Sequence, residues 1–200
     1  MNSITKSNIK AECKDEEENG KPGFEERLFE TRTILVAKQV SKELAESVAG
    51  KLLLMDEEDG SAPINLYINS PGGDVDAGYA IFDLVRFISA PVNCISTGLT
   101  ASAAVVILLS AEKENRLSMP NSRFLMHQPS TGVRGSTADI RIEANEIVKM
   151  RNKLNELISS ETGQPKEKVE KDTTRNYWIG AEEALEYGLI SRVISSKADI

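Results

Sequence analysis

The sequence predicts an α/β domain built around a mostly parallel sheet. Short apolar runs that suit buried strands alternate with segments in which apolar residues recur at helical spacing, as in strand–helix–strand units. Glycine and proline separate these segments, and 200 residues are enough for one domain of this kind. The sequence has no internal repeat, so we expect one domain rather than a repeat array.

Composition and charge exclude several classes of function. The net charge of −7 disfavours a nucleic-acid-binding surface made of clustered basic residues. Two cysteines and one histidine are too few for a disulfide framework or a Cys/His zinc site, and the acidic run at residues 56–59 lacks the pattern of a calcium loop. The longest apolar run, residues 103–109, is far shorter than the roughly 20 residues that cross a bilayer, and there is no signal-peptide pattern. We therefore expect a soluble, cytoplasmic protein without a metal.

The N-terminal 22 residues differ from the rest of the chain. They are polar and include an acidic run at residues 15–18, so they bury too little apolar surface to offset the entropy lost on ordering. We expect a flexible tail over residues 1–22 and a folded domain over residues 23–200. A short helical turn around Leu28 and Phe29 and a strand over residues 33–37 begin that domain.

The first half of the domain alternates helix and strand. Ser41 is a candidate N-cap for a helix that ends at residues 56–60. A strand over residues 64–69 precedes a helix that begins near Asp76. A further strand is predicted over residues 91–97, and then, after Gly98, a helix of small residues over 101–111. The buried faces are expected to consist of Leu44, Ala45, Val48, Leu52 and Met55 in the first helix and of Ala80, Ile81, Leu84, Val85 and Ile88 in the second.

The second half contains one long helix. A short strand over residues 123–126 ends at His127, and two glycines then mark a loop. The long helix is predicted from about residue 137 to residue 160, where the sequence TGQP at residues 162–165 ends it. Two shorter helices lead to a strand over residues 189–194. One side of the long helix is expected to carry Ile140, Ala144, Ile147, Leu154 and Ile158.

Candidate functional residues follow three of the predicted strands. The carboxyl ends of parallel strands meet at one edge of a sheet, and Gly72, Gly73, Ser102 and His127 all follow strands. A hydroxyl nucleophile, an imidazole base and backbone N–H donors are the groups that a serine hydrolase needs. Each of these residues also has a structural interpretation when taken alone. His127 would then be a packed histidine, Ser102 a small packing residue and the glycines a tight turn.

Several motifs together resemble the Clp protease proteolytic subunit (ClpP) family of self-compartmentalised serine peptidases. The similarity covers residues 24–194, and the 25-residue interval from Ser102 to His127 is the family's interval. The motifs that carry the resemblance are YINSPGG (67–73), GLTAS (98–102), PNSR (120–123), MHQP (126–129), TGQP (162–165), AEEA (181–184) and EYGL (186–189).

The resemblance implies both a fold and an assembly. The fold is a ClpP/crotonase-like spiral of ββα units with a protruding strand-helix handle, here at about residues 132–158. Ser102 resembles the nucleophile, His127 the general base, and the N–H groups of Gly73 and Ala103 the oxyanion hole. The assembly is a barrel of two stacked seven-membered rings that cleaves peptides and unfolded proteins inside its chamber. Its partner is a hexameric AAA+ unfoldase that uses ATP, so no cofactor is expected in this subunit.

The sequence departs from the family at the third catalytic position. The family has aspartate at the end of a pattern like Asp-Thr-x-Arg-Asp, whereas residues 172–176 read DTTRN and place Asn176 there. An asparagine can accept the imidazole proton and orient the ring, but it lacks the charge that stabilises an imidazolium. Asp172 is an alternative carboxylate, although the family's aspartate at that place is structural. We expect a Ser102–His127–Asn176 triad.

Further departures favour a second hypothesis. Ala103 and Ala104 replace the family's Met-Gly after the serine, Thr174 stands where many relatives have an acid that pairs across the ring interface, and residues 1–23 lack the family's axial-loop pattern. The chain would then be a weakly active or regulatory paralogue that works in a mixed ring with an active one. A crotonase-type acyl-CoA enzyme is a third hypothesis, disfavoured because it needs no Ser–His pair at this spacing.

Overall fold

Strands and helices alternate along the chain as the sequence predicts. The computed structural model describes residues 23–130 and 132–200, so the tail predicted for residues 1–22 lies outside the described residues. Two short 3₁₀ turns lie within these residues, at Lys113–Asn115 and Lys197–Asp199. The elements are α1 (Phe24–Glu30), β1 (Thr33–Val36), α2 (Lys42–Glu58), β2 (Ile64–Ser70), α3 (Val75–Phe87), β3 (Val92–Ala101), α4 (Ala103–Leu108), β4 (Arg116–Ser118), β5 (Arg123–Met126), α5 (Thr137–Thr162), α6 (Lys166–Thr173), β6 (Tyr177–Gly180), α7 (Ala181–Tyr187) and β7 (Arg192–Val193).

The sheet is parallel except at one edge, and β3 is its central strand. The order is β1-β2-β3-β4-β7, with every neighbouring pair parallel. The first half of β3 pairs with β4, whereas its last three residues, Leu99–Ala101, pair in parallel with β5. The short β6 then pairs antiparallel with β5. The parallel pairing of β3 with β5 therefore places the carboxyl ends of these two strands side by side.

The core lies between the sheet and its helices. Ser41 caps α2 as predicted, because its side chain accepts a hydrogen bond from Leu44 N at 3.3 Å. The predicted face of α3 is partly wrong, since Ala80 is exposed and Leu84 is half-buried. Asp74 caps α3, so the helix begins at Val75. Successive residues are about 100° apart around a helix, so only residues spaced by three or four positions share its buried face. The buried face therefore consists of Ala77, Gly78, Tyr79, Ile81 and Val85.

Two strand boundaries differ from the prediction, and two short strands, β4 and β6, are absent from it. Strand β3 continues past Gly98 to Ala101, because Gly98 takes a left-handed φ of 71° and the register shifts beside Ile68. The helix predicted over residues 101–111 consequently shortens to α4. Strand β6 is absent from the prediction, since its four residues form a half-buried edge strand without clear alternation. Strand β7 covers only two of the residues predicted over 189–194.

Only the second half of α5 packs on the rest of the chain. The helix has 26 residues and a length of about 39 Å, and a Ser136–Asp139 capping box begins it. Residues 137–146 are all exposed, so Ile140 and Ala144, which share the predicted side of the helix, lie outside the core of this chain. Leu154 and Ile158 do join it. Residues 132–136 form no strand, since an isolated extended segment has no partner for its backbone groups.

Neither a membrane span nor a metal site is found in the described parts of the chain. No helix there is both long and apolar enough to cross a bilayer. Those same residues contain no group of three or more His, Cys, Asp or Glu side chains that could hold a metal ion.

Candidate active site

Ser102 and His127 meet at the carboxyl ends of β3 and β5. Ala101 pairs with Leu125 in the parallel register, and Ser102 N donates a hydrogen bond to Leu125 O at 2.8 Å. Each functional residue directly follows its strand, as the argument from parallel strand ends predicts. The two side chains line one small cavity, whose other walls are Val105, Met126, Leu154 and Ile158.

Ser102 occupies a strained turn between β3 and α4. Its φ of 55° and ψ of −121° lie outside the usual helical and extended regions. Arg32 is the other non-glycine residue with positive φ in the described chain. The Ser102 side chain makes no capping hydrogen bond to α4, which leaves the hydroxyl free. A strained conformation of this kind persists only when its surroundings hold it, and it is typical of sites that present a nucleophile.

Gly72 is the residue that holds this turn from the side of β2. A Cβ at residue 72 would lie 2.4 Å from Ala101 O, 2.7 Å from Ser102 Cβ and 2.9 Å from Ala103 N. All three distances are shorter than van der Waals contact, so only glycine allows this approach. The left-handed φ of 82° at Gly72 reinforces the requirement.

Two backbone N–H groups remain free beside the serine. Val40 N donates to Gly72 O and Asp74 N donates to Val40 O, both at 2.9 Å, which fixes the chain on either side of Gly73. Within the described residues, neither Gly73 N nor Ala103 N donates a hydrogen bond to another main-chain group. Such donors are suited to stabilise a developing oxyanion.

His127 is half-buried, and one nitrogen of its ring makes a hydrogen bond. Its Nδ1 lies 2.8 Å from the main-chain oxygen of Gln128, the next residue. In the described chain no hydrogen bond joins the ring to Ser102 Oγ. The structure therefore brings Ser102 and His127 to one cavity, without a direct hydrogen bond between their side chains in the described chain.

Asn176 directly precedes β6, the strand that pairs antiparallel with β5. Met126 at the end of β5 pairs with Tyr177 at the start of β6. This is the last pair of the ladder, and His127 and Asn176 are the residues that directly follow and precede it in the chain. Asn176 is exposed, however, and none of the hydrogen bonds among the described residues joins it to His127. The fold thus brings Asn176 to the start of the strand beside β5, without a hydrogen bond from its side chain to His127 in the described part of the chain.

Asp172 serves the packing of α6. Its Oδ2 accepts hydrogen bonds from Lys168 Nζ at 2.6 Å and from Tyr187 Oη at 3.0 Å. Burial, together with the hydrogen bond to Asp172 and its charge, raises the pKa of Tyr187 above its usual value. The carboxylate of Asp172 is therefore occupied by two structural partners.

Cys94 offers no second nucleophile. It is fully buried in β3, and burial raises the pKa of its thiol to about 12. A thiol with so little thiolate at neutral pH is unreactive.

Sequence reasoning missed two features of this region. It treated Leu154 and Ile158 only as core residues, although their i, i+4 spacing on α5 gives them one wall of the cavity beside Ser102. It also assigned no role to Gln128, which it used only as part of the motif MHQP. A larger cavity of about 440 Å³ lies elsewhere and contains none of the predicted triad; it is lined by Tyr67, Thr97, Gly98, Met119, Pro120, Asn121, Ser122, Ile194, Ser195, Ser196, Lys197 and Ile200.

Comparison with known proteins gives one consistent result. Residues 17–197 match the family described as Clp protease. The chain is 51% identical over 183 residues to ATP-dependent Clp protease proteolytic subunit 2 of Treponema pallidum (strain Nichols), covering 92% of each sequence. It is 48% identical to the subunit 2 of Treponema denticola, covering 100% of this chain and 98% of that one. It is also 48% identical to the subunit 3 of Rhizobium etli, covering 88% and 90% respectively.

A solved structure agrees with these relatives. The ClpP1 of Listeria monocytogenes, in a variant with one asparagine replaced by aspartate, superimposes with a TM-score of 0.80 at 42% identity. The match covers 86% of this chain and 96% of that one.

Proposed function

The chain belongs to the Clp protease family, and we propose that it is a serine endopeptidase subunit whose catalytic triad is Ser102, His127 and Asn176. The relatives are named as proteolytic subunits of an ATP-dependent protease, and this chain is their homologue over nearly its whole length. The observation that carries the proposal is the pairing of β3 with β5, which puts Ser102 and His127 at adjacent strand ends.

The proposed reaction is acyl transfer to Ser102 followed by hydrolysis. Ser102 Oγ attacks the peptide carbonyl carbon while His127 Nε2 takes the hydroxyl proton. The N–H groups of Gly73 and Ala103 donate to the oxygen that becomes negative. His127 returns the proton to the departing amine, and the C–N bond breaks to leave an acyl-enzyme. A water molecule, deprotonated by the same imidazole, then releases the acid and restores Ser102.

Asn176 limits the rate in this proposal. An asparagine has no negative charge with which to neutralise the imidazolium that forms in the transition state. In chymotrypsin-type enzymes the same exchange lowers turnover about 10⁴-fold, or roughly 5 kcal/mol. Low intrinsic activity of the isolated chain is therefore part of the proposal.

The assembly and its partners also belong to the proposal. Exposed apolar residues along α5 (Ile140, Ile142 and Val148) support a handle that contacts a second copy, so that two seven-membered rings stack. A hexameric AAA+ unfoldase would deliver unfolded proteins and consume the ATP named in the relatives' descriptions. We infer no cofactor in this subunit, no nucleic acid or membrane as partner, and a cytoplasmic location.

A second candidate function is a regulatory subunit of a mixed ring. The relatives carry the numbers 2 and 3, as expected where several such subunits coexist. The unbonded Asn176 side chain also favours a subunit that is nearly inactive alone. Size measurements of the purified chain, alone and mixed with an active paralogue, separate the two. A stable double ring that cleaves peptides unaided contradicts the regulatory function.

The test of the proposed activity is covalent labelling of Ser102. We expect a fluorophosphonate to add one probe mass to the wild-type protein and none to Ser102→Ala, as measured by intact mass spectrometry. Ser160→Ala is the matched control, since Ser160 is an exposed serine on α5, and it should label like wild type. Labelling that persists in Ser102→Ala would overturn the assignment of the nucleophile.

A further inference from the structure

The hydrogen bond at Nδ1 determines which nitrogen of His127 is the base. A carbonyl oxygen can only accept, so at 2.8 Å from Gln128 O the Nδ1 atom must carry a proton. In the neutral ring the lone pair then lies on Nε2, the tautomer that a base toward Ser102 requires. The group that selects this tautomer is a main-chain carbonyl, whereas the Asn176 side chain makes no bond to the ring within the described residues.

Gln128 is itself fixed by two hydrogen bonds to the end of α6. Its backbone N donates to Thr173 O at 2.7 Å, and its side-chain Nε2 donates to Thr174 O at 2.9 Å. The backbone and the side chain of one residue thus hold two successive carbonyls. Loss of the side-chain amide would leave one of the two hydrogen bonds that hold Gln128 against the end of α6.

The α6 end that holds Gln128 is anchored in the core. Thr173 is buried, and its Oγ1 lies 2.9 Å from Asn155 Oδ1 and 2.8 Å from Val169 O. Asn155 is fully buried on α5. A continuous series of hydrogen bonds therefore runs from the packed half of α5 through Thr173 and Gln128 to the imidazole of His127.

We propose that Gln128 is a positioning residue for His127: its carbonyl accepts the Nδ1 proton and orients the ring, and its side-chain amide fixes that carbonyl. This inference rests on the proposed peptidase function and adds a residue outside the triad. The carbonyl takes the orienting part of the role that a triad carboxylate plays elsewhere, but contributes no full negative charge.

The single histidine of the chain gives a direct readout of this proposal. Long-range ¹H–¹⁵N spectra of the neutral ring in wild type should show Nδ1 protonated and Nε2 unprotonated. In Gln128→Leu, which removes the amide but keeps the size, we expect a mixture of tautomers. We also expect kcat for a small peptide, or the labelling rate by fluorophosphonate, to fall roughly five- to tenfold, as for one hydrogen bond, with KM unchanged. Unchanged spectra and rate in Gln128→Leu would overturn the proposal.

The matched control is Gln164→Leu. Gln164 Nε2 also donates to a main-chain carbonyl, Tyr187 O at 3.0 Å, but none of its hydrogen bonds involves Gln128 or His127. This variant should keep the wild-type tautomer and rate. An equal loss in both variants would show that Gln128 acts only through stability.

The same substitution made in the Asn176→Asp variant distinguishes a positioning role of Gln128 from a general loss of stability. In Asn176→Asp the carboxylate is a stronger acceptor and competes for the Nδ1 proton, so adding Gln128→Leu should lower the rate less than in wild type. An undiminished loss there contradicts the proposal. Failure of the peptidase function gives a different result, because wild-type Ser102 would then not label at all while the spectra still report the tautomer.

Discussion

The two sides of the candidate site are built in different ways. On the nucleophile side, Ser102 lies in a strained turn between a central strand and a buried helix, with Gly72 pressed against it. On the base side, His127 follows a short strand and is held by the hydrogen bond to Gln128, and Asn176 is exposed.

The difference shows how firmly the fold of one chain holds each side of the site. Close backbone packing fixes the nucleophile side, because a Cβ added at Gly72 would bring atoms closer than van der Waals contact. A few hydrogen bonds at the ends of α5 and α6 fix the base side, and each contributes only about 1 kcal/mol. We therefore expect mutations on the nucleophile side to abolish the site and mutations on the base side to tune it.

The strongest test of the steric side is Gly72→Ala. The added Cβ would overlap the backbone of residues 101–103, so we expect a loss of about 3 kcal/mol or more in unfolding free energy and no fluorophosphonate labelling. Gly163→Ala is the control, since Gly163 also has a positive φ of 77° but a methyl group there would meet no atom within 4 Å. It should cost about 1 kcal/mol from backbone strain alone and label normally. Equal melting temperatures and labelling in the two variants would refute the steric argument.

The base side should respond to charge at residue 176. Asn176→Asp places a carboxylate opposite His127, which stabilises the imidazolium in the transition state. We expect turnover of a small peptide to rise on the order of 100-fold, within the roughly 10⁴-fold effect known for this charge. Turnover by Asn176→Leu, which has neither charge nor amide, should not rise above that of wild type. An Asp variant no faster than wild type would remove Asn176 from the triad.

Anchoring of α5 should matter for stability more than for the nucleophile. Arg116 is fully buried and donates to Ala111 O, Glu161 O and the Glu161 carboxylate near the end of α5. Glu161→Ala leaves that charge uncompensated, so we expect a loss of about 3 kcal/mol in urea-unfolding free energy. Glu156 also lies on α5, and Glu156→Ala breaks an exposed ion pair with Lys166 at the start of α6. The unfolding free energy of this variant should be indistinguishable from that of wild type. The reverse order of the two variants would contradict this view of α5.

The smallest expected effect concerns alkaline pH. Burial raises the pKa of Tyr187, so the folded chain keeps a proton that the unfolded chain loses near pH 10. This contribution to stability is present below pH 10 and declines as pH rises further. Burial also raises the pKa of Tyr79 to about 12, with the same sign. Tyr187→Phe, which loses the hydrogen bond to Asp172, should therefore be less stable than wild type at pH 8, and the gap should narrow by pH 11. A gap that widens with pH in urea unfolding would contradict the assigned direction.

Local sequence signals were enough for most of the architecture and to predict that Ser102 and His127 lie at neighbouring strand ends. Ser41 caps α2 as its side chain predicts, and the strands over residues 64–69 and 123–126 were predicted within one residue of β2 and β5. Ser102 and His127 were identified from their positions after strands and from the family's motifs. These features depend on neighbours close in sequence, such as a cap three residues from its donor or an apolar residue every third or fourth position.

The way the site is held depends instead on contacts between distant segments. The overlap that requires Gly72 involves residue 101 in another strand, and the hydrogen bonds that fix Gln128 come from residues 173 and 174. The sequence predicted that Ile140 and Leu154 share one side of α5, but not that the first half of that side is exposed, because apolar spacing is the same whether a residue faces its own chain or solvent. Periodicity reports which residues share a face of an element. What that face contacts depends on how the folded segments pack, and this is why the orientation of His127 became visible only in the folded chain.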